Sequence, residues 1–193
     1  MSCNSCNKCT TCQKSENKFS LPFAKTYWFS DDGQYMITTD PTAVDLEKLH
    51  NYLNTDSYWA KGIPFDYLKR GVLNSLPFSI LARSDINTKE DDTKKYIIIN
   101  NQTVPADLKT VVQNSKFEFV GFGRVVTDLC GFGYIEDVFI DRAHRGKGLG
   151  KLLVGCMLKH EDCQYFRRWA LGTLDGHELY RKFGFTKPSD RVM

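Results

Sequence analysis

This sequence lacks several features that would indicate a membrane, secreted or nucleic-acid-binding protein. No apolar run approaches the roughly 20 residues that a helix needs to cross a bilayer, and the polar N-terminus lacks the apolar core of a signal peptide. The net charge of +3 is small and spread over 193 residues, so it indicates no surface for nucleic acid or lipid. These absences favour a cytoplasmic protein without nucleic-acid or membrane partners.

The composition is that of an ordinary globular protein, with 41% hydrophobic and 25% charged residues. A chain of 193 residues can bury a core as one domain, which we assign to residues 19–193. Within it, residues 84–115 begin with the charged stretch "SDINTKEDDTKK" and are interpreted as an insertion. Residues 1–18 form a cysteine-rich tail.

Four of the seven cysteines are concentrated in that tail, in "CNSCNKCTTC": Cys3, Cys6, Cys9 and Cys12. In a reducing compartment, repeated C-x-x-C indicates a metal site rather than disulfides. The run lacks the dozen or more residues that separate the two pairs of a usual zinc site. It also lacks the longer last gap and the proline of a bacterial iron–sulfur run. A metal site and an oxidation-prone tail without metal both stay open.

The rest of the chain alternates between strand and helix patterns, which predicts a mixed α/β sheet. Asp40 followed by Pro41 is typical of a helix start, and we expect His50 in that helix to pack rather than react. Strands are predicted at 35–40, 77–83, 116–128, 131–141 and 167–173, and further helices at about 65–73, 148–160 and 175–183.

The glycine-rich stretch "HRGKGLGKLL" (144–153) lacks the spacing of both common nucleotide loops. A P-loop needs four residues between its first glycine and the Gly-Lys pair, whereas Gly146 and Gly150 are separated by three. The dinucleotide fingerprint G-x-G-x-x-G fails from either Gly146 or Gly148. The sequence therefore predicts neither an ATP nor an NAD site.

An anion is nevertheless expected at this loop. A helix that begins near Gly148 leaves its first amides unpaired at the positive end of the helix dipole. Arg145, Lys147 and Lys151 add positive charge around those amides. Beyond the loop, apolar residues recur at helical spacing and include Cys156, which we interpret as a packing residue rather than a nucleophile.

Two motifs carry a resemblance to a known family. Arg145-x-x-Gly148-x-Gly150, directly after a strand that ends in "VFID", resembles the acetyl-coenzyme A signature of the GNAT superfamily of N-acetyltransferases. The stretch "LYRKFGF" (179–185) is similar to the last helix and strand of that superfamily. The resemblance covers roughly residues 34–190, and "SYWAKGIP", "GFGRVVTD" and T-x-D-x-H-x-L-Y resemble a subgroup of small single-domain members.

This resemblance implies a mixed, mostly antiparallel central sheet flanked by helices, acetyl-CoA as co-substrate, and an enzyme that acetylates an amine. Dimerisation is an expectation at the level of the family. The backbone of Val138, Phe139 and Ile140 would pair with the pantetheine arm. The pyrophosphate would be held by seven consecutive residues: Arg145, Gly146, Lys147, Gly148, Leu149, Gly150 and Lys151.

Two carboxylates interrupt the apolar strand "YIEDVFI". Because successive side chains of a strand alternate between faces, we expect Glu136 and Asp137 to lie on opposite faces, to have separate roles and not to share one proton or one substrate nitrogen. The stretch is similar to that of polyamine acetyltransferases in the same superfamily. That similarity implies Glu136 as the base or amine anchor and Asp137 as a second candidate. The alternative is that one of the pair caps a backbone group or binds an arginine.

Tyr180 matches the superfamily tyrosine beside the coenzyme A sulfur, which implies a proton donor to the leaving thiolate; the alternative is a core aromatic. His177 lies one helical turn earlier and could orient Tyr180 or touch the substrate.

Tyr58 and Trp59 lie where related proteins commonly form one wall of the acceptor-binding site. Thr173 stands near the position where many members have a coenzyme-binding asparagine, and that contact is therefore in doubt.

The function predicted from the sequence is transfer of an acetyl group to the primary amine of a small molecule by direct attack. The acceptor could be polyamine-, amino-acid- or amino-compound-like. Two other functions stay open. One is a non-catalytic acyl-CoA sensor with a metal- or redox-responsive tail, and the other is a protein lysine acetyltransferase.

Overall fold

The protein is described from a computed structural model that covers residues 23–84 and 117–188. Within these ranges, six strands form one sheet in chain order: β1 (Tyr27–Phe29), β2 (Tyr35–Thr38), β3 (Leu76–Arg83), β4 (Phe117–Thr127), β5 (Phe132–Ile140) and β6 (Arg168–Leu171). Neighbouring strands are antiparallel except β5 and β6, which are parallel. The predicted mixed, mostly antiparallel sheet is confirmed. The tail at 1–18 and nearly all of the insertion at 84–115 lie outside the described residues.

Helices cover both faces of the sheet. On one face, α1 (Leu46–Thr55) and α2 (Phe65–Leu73) bury Leu49 and Leu68 against sheet residues such as Phe122. On the other face, α3 (Leu149–Lys159) and the short α4 (His177–Arg181) pack on a second core. Leu153 and Met157 are completely buried there, and each such side chain contributes about 1.5–3 kcal/mol to folding. No helix in the described ranges combines the length and the hydropathy of a bilayer span.

The start of α1 differs from the expectation. Asp40 accepts a hydrogen bond from the Thr42 amide, but it caps a separate 3₁₀ turn at Pro41–Ala43. Val44 then returns to extended backbone, so the α-helix needs a second cap, which Asp45 provides through the Lys48 amide at 2.9 Å. His50 packs as expected, with Nε2 2.8 Å from the Ile63 carbonyl oxygen. The three-residue strand β1 was not predicted, because so short a segment has no usable periodicity.

The parallel strands β5 and β6 are paired only over the first part of β5. Residues 132–135 of β5 pair with 168–171 of β6. β6 ends at Leu171, whereas β5 continues to Ile140. In the described part of the chain, no strand pairs with residues 136–140 of β5 on the β6 side. The second half of β5 therefore presents a backbone edge on which an extended ligand could pair as an added strand.

Candidate active site

A β-bulge lies at the point where β5 begins to separate from β6. Phe122 of β4 pairs with Phe139, and Arg124 pairs with Glu136, so two β5 residues face the single Gly123. One of the two, Asp137, has a positive φ of 52°, as the first residue of one bulge type does. A Cβ on Gly123 would lie 2.5 Å from the Met157 Cε atom, so only glycine fits opposite the bulge without rearrangement.

The bulge brings Glu136 and Asp137 to the same side of the sheet. Nε of Arg124 lies 2.6 Å from a carboxylate oxygen of Asp137, and another guanidinium nitrogen contacts Glu136. The expectation that the two carboxylates lie on opposite faces of the strand is therefore wrong, whereas the alternative that a member of the pair binds an arginine is confirmed. Strict alternation holds only for a regular strand, and the extra residue of the bulge interrupts it.

Burial distinguishes the two carboxylates. The side chain of Asp137 is 5% exposed, and its second oxygen accepts a hydrogen bond from Trp59 Nε1 at 3.1 Å. Glu136 is 39% exposed on its side chain and contacts Arg124 through one oxygen. Both oxygens of Asp137 are thus engaged, whereas Glu136 remains accessible to a ligand.

The segment between α1 and α2 connects this carboxylate cluster to α4. The rings of Tyr58 and Trp59 meet edge to face, with centroids 4.8 Å apart. Trp59 is bound to Asp137, as described above, and the hydroxyl oxygen of Tyr58 accepts a hydrogen bond from the Leu174 amide at 2.8 Å. Two hydrogen bonds therefore hold this aromatic pair across the opening between β5 and β6.

Tyr180 lies buried in α4, with its ring edge to face against Phe185. Burial raises the pKa of its phenol to about 12, and the negative charge of the Asp175 carboxylate adds to that rise. The hydroxyl therefore stays protonated at any ordinary working pH. It has no hydrogen-bond partner within the described ranges, so a ligand could take that place.

The residues around Tyr180 have local roles. The side-chain oxygen of Thr173 accepts a hydrogen bond from the Gly176 amide at 2.8 Å, which fixes the turn before α4. A Cβ on Gly176 would lie 3.0 Å from the Tyr180 ring, so this turn packs closely against the tyrosine. His177 is exposed at the first residue of α4 and forms no hydrogen bond with the rest of the described chain.

The glycine-rich loop ends as predicted, with α3 starting at Leu149. Gly146 and Gly148 have positive φ angles of 78° and 77°, so both positions need glycine for their backbone conformation. No side chain caps the helix, and the first amide to bond within it is that of Leu152, to the Gly148 carbonyl. The amides of Leu149, Gly150 and Lys151 are thus left without intrahelical acceptors, which suits an anion.

The basic residues of the loop differ in their contacts. Arg145 donates hydrogen bonds to the Ile140 carbonyl at 2.9 Å and to the Tyr52 hydroxyl at 3.3 Å. Lys147 donates to the Tyr35 hydroxyl at 2.9 Å. Lys151 is exposed, with no ion-pair partner in the described segments. Arg145 and Lys147 therefore bind the loop to neighbouring elements. They also contribute positive charge to it.

The strand before the loop carries the remaining residues of the predicted site. Val138 and Ile140 pack against the core under α3, whereas Phe139 points to the other face and stacks on Tyr52 with centroids 4.1 Å apart. Cys156 is buried in α3, and burial raises the pKa of its thiol to about 12. Its interpretation as a packing residue is confirmed.

Two residues that contact the predicted site, Arg124 and Tyr52, were not predicted from the sequence. A detectable signal existed for Arg124, because it is an isolated charge in the buried strand "GFGRVV". Tyr52 offered none, since an aromatic residue on an amphipathic helix is ordinary. Among residues 23–84 and 117–188, no group of three or more possible metal ligands exists. The four tail cysteines lie outside those ranges.

Comparisons with known proteins agree with this geometry. A family model described as "Acetyltransferase (GNAT) domain" matches residues 108–187. A solved structure from Xanthomonas campestris pv. campestris, assigned in its description to the GNAT family, is 30% identical with a TM-score of 0.60; the match covers 80% of this chain and 85% of that chain. A protein of Gibberella zeae is 28% identical over 155 residues, covering 78% of this chain and 77% of the relative. Both carry the description "putative acetyltransferase".

A third protein shares the fold at lower identity. It comes from Clostridium acetobutylicum and is described as a "predicted acetyltransferase with acetyl-CoA". The identity is 14% and the TM-score 0.51, with 82% of this chain and 92% of that chain covered. At this identity the match supports the overall architecture and nothing finer.

Proposed function

Since the chain belongs to the GNAT superfamily and is an N-acetyltransferase, we propose that it transfers the acetyl group of acetyl-CoA to the primary amine of a small molecule. The observation that carries this proposal is the position of Glu136. It is the accessible member of a buried charged cluster, and it lies where β5 separates from β6.

The residues of the donor side fit acetyl-CoA, which supplies the acetyl group as a thioester. The free amides at the start of α3 and the charge of Lys151 suit the pyrophosphate. The open edge of β5, at Val138 to Ile140, can pair with the amide groups of an extended pantetheine arm. A backbone amide near Val138 would then polarise the thioester carbonyl.

In this proposal Glu136 is the proton acceptor and Tyr180 is the proton donor. Glu136 first accepts a proton from the ammonium form of the amine, directly or through water, and passes it to solvent, so that the nitrogen is neutral when it attacks. As that nitrogen bonds to the acetyl carbon, Glu136 accepts the second proton that it loses. Tyr180 donates a proton to the sulfur as the carbon–sulfur bond breaks, and it regains that proton from solvent. Asp137, with both oxygens engaged, positions Arg124 and Trp59 rather than touching the amine.

The experiment that tests this function is the pair Tyr180→Phe and Tyr67→Phe, assayed by thiol release over a panel of amines. Tyr180→Phe removes only the proposed proton donor, so kcat should fall about 10²-fold, while the Kd for acetyl-CoA measured by calorimetry stays unchanged. Tyr67, 63% exposed on α2, is the control, and its substitution should leave both values intact. An unchanged kcat in Tyr180→Phe would remove Tyr180 from the mechanism.

A further inference from the structure

We propose that the acceptor is a cationic amine that carries no carboxylate group beside its reacting nitrogen. This inference rests on the proposed function and narrows its substrate class. The class predicted from the sequence includes amino-acid-like acceptors. The charges and contacts around Glu136 favour a simple amine over the corresponding amino acid.

The cluster around Glu136 has more negative than positive charge. Among the described residues, Arg124 is the only cation that contacts either carboxylate of the cluster, Glu136 or Asp137. Asp175 adds negative charge at the nearby Tyr180. An ammonium group entering here meets an excess of carboxylates, whereas a carboxylate is repelled by them.

Arg124 cannot serve as the partner of a substrate carboxylate. Two of its guanidinium nitrogens are engaged by protein carboxylates, and its side chain is only 13% exposed. The guanidinium also lies against α2, since a Cβ on Gly71 would be 3.7 Å from it. Recognition of an amino acid by a bidentate arginine pair would require the release of Glu136 or Asp137 from this buried cluster.

Several basic residues of neighbouring segments have protein partners of their own. Lys48 contacts Glu118 at 3.0 Å, Arg142 contacts Asp56 at 3.4 Å, and Arg145 binds Ile140 and Tyr52 as described above. Arg181 on α4 is paired with Glu178. The exception in the α1–α2 segment is Lys61, which is exposed two residues beyond Trp59. Lys61 is therefore tested with a variant of its own.

The aromatic pair Tyr58 and Trp59 complements this charge. Their side chains are 49% and 41% exposed, yet each is held by a hydrogen bond to another part of the site. A fixed and accessible aromatic face next to a carboxylate attracts an ammonium group, and it costs little conformational entropy because the rings are already ordered.

Matched pairs of acceptors provide the test, because the members of each pair differ by one carboxylate. The pairs are phenethylamine and phenylalanine, tyramine and tyrosine, and histamine and histidine, each with one aliphatic amine, and the methyl ester of each amino acid is a control of similar size. In each pair that reacts, kcat/KM for the amine should exceed that for the amino acid at least tenfold. The methyl ester should recover most of that difference, since it has the bulk of the amino acid without its charge.

The outcomes separate this inference from the function on which it rests. If an amino acid reacts as well as its amine, the inference is overturned while the small-amine function stands. If acetyl-CoA binds by calorimetry but only a lysine-containing peptide is acetylated, or nothing is, the small-molecule function fails and the inference fails with it.

Two variants test the residues that carry the inference. Trp59→Phe keeps an aromatic ring but loses the hydrogen bond to Asp137, so KM for the amine should rise several-fold with KM for acetyl-CoA unchanged. Lys61→Gln should leave the preference for amines over amino acids intact. A loss of amino-acid turnover on Lys61→Gln would identify Lys61 as a carboxylate ligand and overturn the inference.

Discussion

Asp137 combines three unusual properties in one residue. It has a positive φ of 52° without being glycine, it is buried, and both of its carboxylate oxygens accept hydrogen bonds. Aspartate tolerates this backbone region better than most residues, but the conformation still costs free energy. The contacts with Arg124 and Trp59 offset that cost, so the bulge and the charged cluster depend on each other.

Asp137→Asn should lower the free energy of unfolding by about 2 kcal/mol. Asparagine adopts the same backbone conformation and is nearly isosteric, so the substitution removes mainly the charge beside the Arg124 guanidinium. Urea denaturation followed by circular dichroism measures the change. Glu136→Gln is the matched control on the same guanidinium, and it should cost less than about 1 kcal/mol because the Glu136 side chain is 39% exposed and solvent screens its charge. Equal losses would contradict the structural role of Asp137.

At the scale of elements, α1 supports the loop that precedes α3. Two of its residues and its C-cap, at four-residue spacing, share one face, and they contact three residues of that loop. Lys48 lies 3.5 Å from Asp141, Tyr52 binds Arg145, and Asp56 lies 3.4 Å from Arg142. The ring of Tyr52 also stacks on Phe139 of β5. A helix on the acceptor side therefore helps to hold the proposed pyrophosphate loop.

Tyr52→Phe tests this support. The substitution keeps the stacked ring and removes the hydroxyl that accepts the Arg145 hydrogen bond, so the loop should become less ordered. We expect the Kd for acetyl-CoA, measured by calorimetry, to rise about threefold, as one partly exposed hydrogen bond contributes roughly 0.5–1 kcal/mol. Tyr165→Phe is the control, because Tyr165 is 87% exposed. Tighter binding in Tyr52→Phe would instead mean that Tyr52 withholds Arg145 from the ligand.

For the molecule as a whole, a buried histidine connects the segment after α3 to the start of the described chain at Ala24. His160 follows α3 and is completely buried, with its ring near those of Trp28 and Phe78. Nδ1 accepts a hydrogen bond from the Asp162 amide at 3.2 Å, and Nε2 lies 3.3 Å from the Ala24 carbonyl oxygen. Since a carbonyl only accepts, Nε2 carries the proton of a neutral imidazole.

Stability should therefore fall on acidification. Burial lowers the pKa of His160 below its ordinary value of 6.5, so the unfolded chain takes up a proton at a pH where the folded protein does not. This contribution is complete above pH 6.5 and is lost as the pH falls toward the folded pKa, by at most about 1.4 kcal/mol per pH unit. Thermal unfolding at pH 7.5 and pH 5.5 measures the difference.

Two controls separate His160 from other titrating groups. His177→Gln, at an exposed histidine, should keep the acid-induced loss, whereas His160→Gln should reduce it. An NMR titration of the wild-type imidazoles gives a second measure, in which the resonance of His160 should titrate below pH 6.5. Titration of His160 at or above pH 6.5 would contradict the prediction even if His160→Gln failed to fold.

Much of the fold and part of the site could be predicted from local pattern. The long strands at 117–127 and 132–140 and the helix after Gly148 were predicted because their periodicity and turn residues lie within short segments. The failures have a different cause. Asp40 has the correct signature of a helix cap, yet the chain uses it for a 3₁₀ turn, and the bulge at Asp137 depends on pairing with β4.

The sequence by itself determined the α/β order of strands and helices and the glycine-rich loop before α3, because spacing along the chain encodes both. The residue types suited to acetyl transfer were implied by the resemblance to the GNAT superfamily. Only the tertiary structure decided how burial and contacts are divided between Glu136 and Asp137. That division depends on Arg124 from β4, Trp59 from the α1–α2 segment and a bulge opposite Gly123. These groups are distant in the sequence, so their meeting follows from strand register and packing rather than from any local pattern.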